Sequence, residues 1–270
     1  MTMNKINKTL YIPLYGKALI SKRGIMLHDP KAEEIWDKEC FPLKGKAKSK
    51  WLSIYMGMRA AVFDRWLSGK MEHHPDALVL HIGCGLDGRI NRVENRNHMW
   101  FDIDFPEVIA ERKKYFEDFP GYTMLGADVR ESEWLDLLPS GGEAIVVMEG
   151  VSMYMDKQDL TNLLSRLRNR FEGLYLLMDC YTTFAAKISK FKNPVNEVGV
   201  FHLYGIDNPK ELHLSGVHAI AHYELTPYYL IDELTGAEKA IFQAIFAGSF
   251  ARKLYRLHEY ASIRCSGREV

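Results

Sequence analysis

Between residues 77 and 181, short apolar runs alternate with stretches whose apolar positions recur at helical spacing. The runs fall at 77–82, 99–103, 122–125, 144–148 and 174–179. Ala144-Ile145-Val146-Val147-Met148 is apolar throughout, as expected of a strand covered on both faces in the middle of a parallel sheet. Two intervening segments, FPEVIAERKKYFEDF (105–119) and Lys157–Arg170, read as helices, with Val108, Ile109, Arg112 and Phe116 marking the faces of the first. Strand and helix in alternation predict an α/β protein with a doubly wound parallel sheet. The tail reads as a helix over Ala237–Leu257 and a last strand over Tyr260–Cys265, closing an antiparallel hairpin at the sheet edge.

The first 75 residues lack a strand-turn-helix unit. Asp29-Pro30 before KAEEIWDKEC marks a helix start, with proline at the first helical position and acids in the first turn. A second helix follows at WLSIYMGMRAAVFDRWLSGK, where Trp51, Ile54, Tyr55, Met58, Val62, Phe63 and Trp66 hold helical spacing. Residues 44–50 (KGKAKSK) form a solvated basic connector between them. The expected organisation is a helical cover over 1–75, a sheet domain over 76–270, and a polar, aromatic lid insertion near 182–216.

The chemistry concentrates between the first two predicted strands. Gly83, Gly85 and Gly88 satisfy G-x-G-x-x-G, and Asp102 and Asp104 end the second strand about twenty residues on. Glycines admit a ligand close to the backbone, and ligands of open α/β sheets lie beyond the carboxyl ends of the strands. A pyrophosphate would need a helix N-terminus free of negative charge, yet Asp87 stands inside this loop. Asp87 either caps the following helix or tolerates an ammonium group, as a sulfonium ligand such as S-adenosylmethionine would bring. The loop favours the sulfonium ligand over a nicotinamide dinucleotide. Asp128, at the end of the third run, reads either as an acceptor for an adenine amino group or as the cap of SEWLDLL. Glu149 leaves the end of a central strand, where no core needs it.

Composition narrows the partners. Thirty-five basic residues balance thirty-five acidic ones, so no global field favours nucleic acid or an anionic membrane. Cys40, Cys84, Cys180 and Cys265 are widely spaced, which suits reduced thiols better than a zinc or disulfide framework. No signal peptide is evident and no apolar run nears the roughly 20 residues that span a bilayer. A cytoplasmic protein acting on a small molecule is expected. His218 and His222 would share a face only on a helix; AIAHYEL (219–225) reads as a strand, and no metal site is expected.

Several of these motifs occur together in one family. TLYIPLYGKALISKR, LHDPKAEEI, HIGCGLDGRINRV, WFDIDFPEVI, GADVRESEWLDLL and MEGVSMYM run in order along the chain. With them the sequence resembles the leucine carboxyl methyltransferase superfamily, most closely its bacterial, tetracenomycin polyketide O-methyltransferase-like branch. The resemblance implies a class I S-adenosylmethionine-dependent O-methyltransferase: a Rossmann-like seven-stranded sheet, an N-terminal helical cover and a small-molecule, polyketide-like acceptor. It assigns Arg59 and a basic residue of the first helix (Lys17, or else Lys22 or Arg23) to the methionine end. Gly83 and Gly85 would approach the ligand, and Asp104, or second Asp102, would take the ribose. Asp128 and Val129 would meet the adenine, and Glu149 would line the pocket. Gly88 replaces the threonine of the commoner L-D-T-R pattern.

An acceptor carboxylate is ionised at neutral pH and needs no general base; a phenol or alcohol needs one. Glu149, His202 and His213 are the candidate bases, and Arg89, Tyr154, Tyr181 and Tyr204 the candidates to orient an acceptor. Tyr204 and His202 join Glu149 as the expected catalytic set. A dinucleotide-dependent oxidoreductase and a non-catalytic S-adenosylmethionine-binding protein are the alternatives.

Overall fold

A computed structural model of the chain describes residues 7–39, 41, 43, 45–94, 97–192, 195–196 and 202–263. Cys40 and Cys265, two of the expected free thiols, lie outside the described residues. Seven strands form one sheet: β1 (Leu78–Ile82), β2 (Trp100–Asp104), β3 (Tyr122–Gly126), β4 (Glu143–Met148), β5 (Gly173–Tyr181), β6 (His218–Tyr223) and β7 (Tyr255–Ile263). Their order is β3-β2-β1-β4-β5-β7-β6. The first five pair in parallel, and β7 runs antiparallel between β5 and β6. The order reverses between β1 and β4, so the switch point lies at their carboxyl ends.

Successive residues of the central strands feed opposite cores, which is why those runs are apolar throughout. Val79, Ile145, Val147 and Leu177 pack with helices α1 (Tyr11–Lys22), α2 (Pro30–Glu39) and α3 (Lys50–His73). Leu80, Val146, Met148 and Leu176 pack with Leu160, Leu163, Leu164 and Leu167 of α6 (Lys157–Arg170). Asp156 caps α6, accepting the Asp159 N–H at 2.8 Å. Two shorter helices, α4 (Arg89–Arg92) and α5 (Pro106–Arg112), follow β1 and β2.

The cover crosses the sheet where two glycines allow it. A Cβ on Gly16 of α1 would stand 2.8 Å from Met56 Cβ of α3, and one on Gly57 of α3 would stand 2.9 Å from Ile20 of α1. Without side chains there, the two helices meet at van der Waals distance. Lys17 and Arg59, one and two residues after these glycines, are thereby carried over the carboxyl ends of β1 and β4.

Three expectations change. The helix read over 105–119 stops at Arg112, because the chain must turn at Pro120-Gly121, where Phe119 and Tyr122 pair. The tail helix read over Ala237–Leu257 is two helices, α9 (Gly236–Ile245) and α10 (Ser249–Leu254), and the last strand starts at Tyr255 rather than Tyr260. Gly248 separates the helices, and from Tyr255 the chain pairs with β5, where Leu257 to Tyr260 are buried on both faces of the sheet. The polar stretch 182–216 supplies α7 (Thr183–Lys192), but its far end is core: Ile206 and Leu212 are buried with the α6 leucines. The short helix α8 (Tyr228–Ile231) precedes α9. His218 and His222 lie on the edge strand β6, as the strand reading required. Among the described residues, no group of three His, Cys, Asp or Glu side chains could hold a metal, and no helix is long and apolar enough to cross a membrane.

Candidate active site

A cavity of about 670 Å³ opens over the carboxyl ends of β1, β2 and β4. That volume falls within the range of small-molecule sites. Its two halves differ in chemistry. One is lined by the glycine loop, Lys17, Arg59, Asp104, Asp128 and Glu149; the other by residues such as Trp51, Tyr55, Met153, Tyr181, Phe246 and Tyr255.

The glycine loop is shaped by contact. Gly83 has φ +71°, and a Cβ there would stand 2.2 Å from Val151 Cγ2, so only glycine fits. Asp104, at the end of β2, accepts the Gly85 N–H at 2.8 Å on one oxygen and the Phe105 N–H at 2.8 Å on the other. Each oxygen keeps a further lone pair for a hydroxyl donor. Burial lifts the Asp104 carboxyl to about 6, and the two N–H bonds offset only part of that rise.

Behind the loop lies a buried set of ion pairs. Lys17 Nζ is 2.7 Å from Asp87 and 3.9 Å from Glu149. Arg59 donates to Glu149 at 3.0 Å, to Asp179 at 3.2 Å and to the Tyr255 hydroxyl at 2.9 Å. Arg89 pairs with Glu149 and, at 2.7 Å, with Asp64; Arg92 pairs with Asp29, Asp64 and Asp87. Burial pushes the Glu149 carboxyl up, but Lys17, Arg59 and Arg89 more than offset it and hold the group at about 2. Burial also opposes ionisation of Asp87, yet Arg92, Lys17 and Arg89 keep it well below the usual carboxylate range. Asp179 goes the other way: burial raises its carboxyl despite Arg59 and Tyr255.

The expected residues fall into three groups. Lys17, Arg59, Gly83, Gly85, Asp104, Asp128, Val129 and Glu149 all line the cavity. Lys17 is the buried basic residue of α1, whereas Lys22 pairs with Asp37 and Arg23 with Glu238 on the outside. Asp128 does not cap SEWLDLL, whose N-terminus has no side-chain cap; its carboxylate accepts the Arg130 N–H at 3.0 Å and the Arg130 guanidinium, and that guanidinium holds it below its ordinary value. Asp87 does not cap α4, whose N-terminus has no side-chain cap; it is an ion-pair anchor.

Other expectations are corrected. Asp102 is 0% exposed and does not line the cavity: Trp100, His81, Tyr122 and Arg112 all donate to it. It shares a strand face with Asp104, but sits one pleat lower, under α5. His202 and Tyr204 are exposed, Tyr204 by 39%, and only Leu203 between them reaches the cavity. Chain alternation turns both the candidate base His202 and the candidate orienting residue Tyr204 outward. Glu149 gives one oxygen to Arg59 and the other to Arg89, with Lys17 at 3.9 Å, and these cations favour its anion, which makes it a poor base while its place in the pocket stands. Arg89 is fully buried beneath Glu149 and reaches no acceptor.

Sequence reasoning passed over Asp179 and Tyr255. Asp179 was visible as the one acid in LYLLMDCY; Tyr255 was hidden by the overlong tail helix. Among the described residues lining the aromatic half, the titratable groups are four tyrosines and Lys46. Burial raises the Tyr154 hydroxyl to about 12, and the Tyr55 and Tyr255 hydroxyls further.

Comparison with known proteins bears on both halves. The sequence model of the family described as leucine carboxyl methyltransferase matches residues 3–168. The tetracenomycin polyketide synthesis O-methyltransferase TcmP of Streptomyces glaucescens is 30% identical over 210 residues, covering 77% of this chain and 77% of its own. The S-adenosyl-L-methionine-dependent methyltransferase dpfgK of Gibberella zeae is 24% identical, over 64% of this chain and 63% of its own. Among solved structures, an S-adenosylmethionine dependent methyltransferase from Mesorhizobium loti superposes with TM-score 0.52 at 12% identity, over 75% of this chain and 99% of that one. A Thermobifida fusca protein reaches TM-score 0.54 at 11% identity, over 92% and 94%. These two likenesses are of fold.

Proposed function

Because the chain belongs to the leucine carboxyl methyltransferase family and is an S-adenosylmethionine-dependent methyltransferase, we propose that it methylates an oxygen, by preference a carboxylate, of an apolar, aromatic small molecule. S-adenosylmethionine, when bound, supplies an electrophilic methyl group on a sulfonium. The residues of the polar half fit it. Arg59 and Lys17 hold the methionine carboxylate, Asp104 takes the ribose hydroxyls, and Asp128 with Val129 meets the adenine. Gly83, kept a glycine by its contact with Val151, lines the cavity where the ligand passes the loop backbone. Glu149 aims Arg59 rather than touching the acceptor.

The acceptor half carries the rest of the reading. Its lining is aromatic and sulfur-rich, with stacked pairs Trp51–Phe246 at 5.8 Å and Tyr55–Tyr255 at 6.0 Å between ring centres. Such walls suit a flat apolar acceptor, in keeping with the polyketide named for the Streptomyces relative. The single observation that favours a carboxylate is that no histidine or carboxylate is among the described residues lining this half. An acceptor that is ionised beforehand needs only alignment and exclusion of water, which these walls provide.

The test is incubation with methyl-labelled S-adenosylmethionine and a panel of aromatic carboxylic acids and phenols, followed by mild alkali. Label that transfers to acids and is released by alkali is a methyl ester, as expected. Label stable to alkali is an aryl ether and contradicts the carboxylate reading. Binding of S-adenosylhomocysteine without transfer to any panel member would favour a non-catalytic binding protein.

A further inference from the structure

Asp102 ends up far from the role its position in sequence suggested, and its surroundings are unusual. Four side chains donate to one carboxylate with no exposed surface. Oδ1 accepts Trp100 Nε1 at 2.8 Å and His81 Nδ1 at 3.1 Å; Oδ2 accepts the Tyr122 hydroxyl at 2.7 Å and Arg112 Nη2. Two of these donors reach on toward the cavity. Arg112 turns its other arm, Nη1, to the carbonyls of Gly85 at 3.1 Å and Asp87 at 2.8 Å, inside the glycine loop. His81 accepts Arg89 Nη1 at 2.9 Å on Nε2, and Arg89 pairs with Glu149. With Nε2 accepting, Nδ1 must carry the proton it gives to Asp102, so the ring is neutral and its tautomer fixed.

We infer that Asp102 is a positioning residue for the cofactor: through Arg112 it clamps the glycine loop, and through His81 and Arg89 it orients Glu149. A fully buried fork that spends one arm on a carboxylate and the other on two loop carbonyls fixes the loop relative to β2. The same strand carries Asp104, whose oxygen accepts the Gly85 N–H. Loop and ribose carboxylate are therefore set against each other by one guanidinium. Arginine is required for this, because a lysine ammonium can pair with Asp102 but cannot also span both carbonyls. The stacking of Arg112 over Phe116, 3.9 Å from the ring centre, keeps the fork in plane.

The experiment uses the full chain with Arg112→Lys, reading S-adenosylhomocysteine affinity by calorimetry and amide hydrogen exchange of the ligand-free protein. Affinity is expected to fall about tenfold, with faster exchange confined to residues 83–88, since one multidentate charged contact is lost. Wild-type affinity and wild-type loop exchange would overturn the inference. So would faster exchange spread evenly through β2 and α5, which marks a role in folding alone. Tyr122→Phe is the gentler second variant, removing one donor to Asp102 and the hydroxyl that accepts from Arg112 Nε and Nη2, while the guanidinium itself and its bonds to the loop carbonyls remain. It should shift affinity and loop exchange in the same direction by roughly threefold, and no shift in either would equally overturn the inference.

Discussion

Glu149 has three cations around it and Asp104 has none paired with it, and these two carboxylates behave oppositely for that reason. Replacing Glu149 by Gln leaves Arg59 and Arg89 without their shared anion. Breaking a buried pair in this way costs about 3–5 kcal/mol, so a lower melting temperature and about tenfold weaker S-adenosylhomocysteine binding are expected. The turnover that remains should keep the wild-type pH dependence, because Glu149 moves no proton; a shifted profile would return it to the catalytic set. Asp104 titrates at about 6 in the free protein. Hydroxyl donors favour its anion, so its pKa falls when the ribose is bound and binding releases a proton at lower pH. Affinity for S-adenosylhomocysteine should hold above the free-protein value and fall about tenfold per unit well below it. Asp104→Asn should remove that dependence, as calorimetry at several pH values would show. Both acids were legible as acids at strand ends. Which was paired was not, because Lys17 and Arg59 lie far away in sequence.

Helices α1 and α3 bring those two cations in, and their crossing rests on Gly16 and Gly57. Gly57→Val would press a branched side chain into Ile20, where a Cβ alone stands at 2.9 Å. Overpacking of that kind costs about 2 kcal/mol, and the separation of Lys17 from Arg59 should weaken cofactor binding as well. Gly69, in the same helix, faces open space. There Gly69→Ala should gain up to about 1 kcal/mol from helix propensity and leave binding unchanged. Thermal melting with and without S-adenosylhomocysteine checks both. At this scale the strands were the legible part, since runs apolar on both faces have no other use. The tail was not: residues 237–257 carry apolar positions that satisfy a helix period, and only pairing of β7 with β5 shows where the strand begins. His202 and Tyr204 misled for a similar reason. A polar, aromatic loop announces proximity to a site, but alternation along the backbone decides which side chains enter it, and Leu203 does.

Over the whole molecule, equal numbers of acids and bases conceal a division of labour. Charges beneath the glycine loop are buried as pairs, while the other half of the cavity is walled by aromatic rings. The family match ends at residue 168. It spans Lys17, Arg59, the loop, Asp104, Asp128 and Glu149, and stops before Tyr181, Leu203, Phe246 and Tyr255. The polar half was readable from motifs, and so were Tyr154 and Tyr181 of the other half, whereas Leu203, Phe246 and Tyr255 join the cavity only in the folded chain. The account rests on methyl transfer that needs no base from the protein. The most direct measurement of that claim is the pH dependence of kcat with both substrates saturating. A flat profile between about pH 6.5 and about pH 9 is predicted, since among the described residues no histidine or carboxylate lines the acceptor half to take a proton from an oxygen. A rate that climbs tenfold per pH unit through that range would show a proton leaving before transfer, and would contradict it.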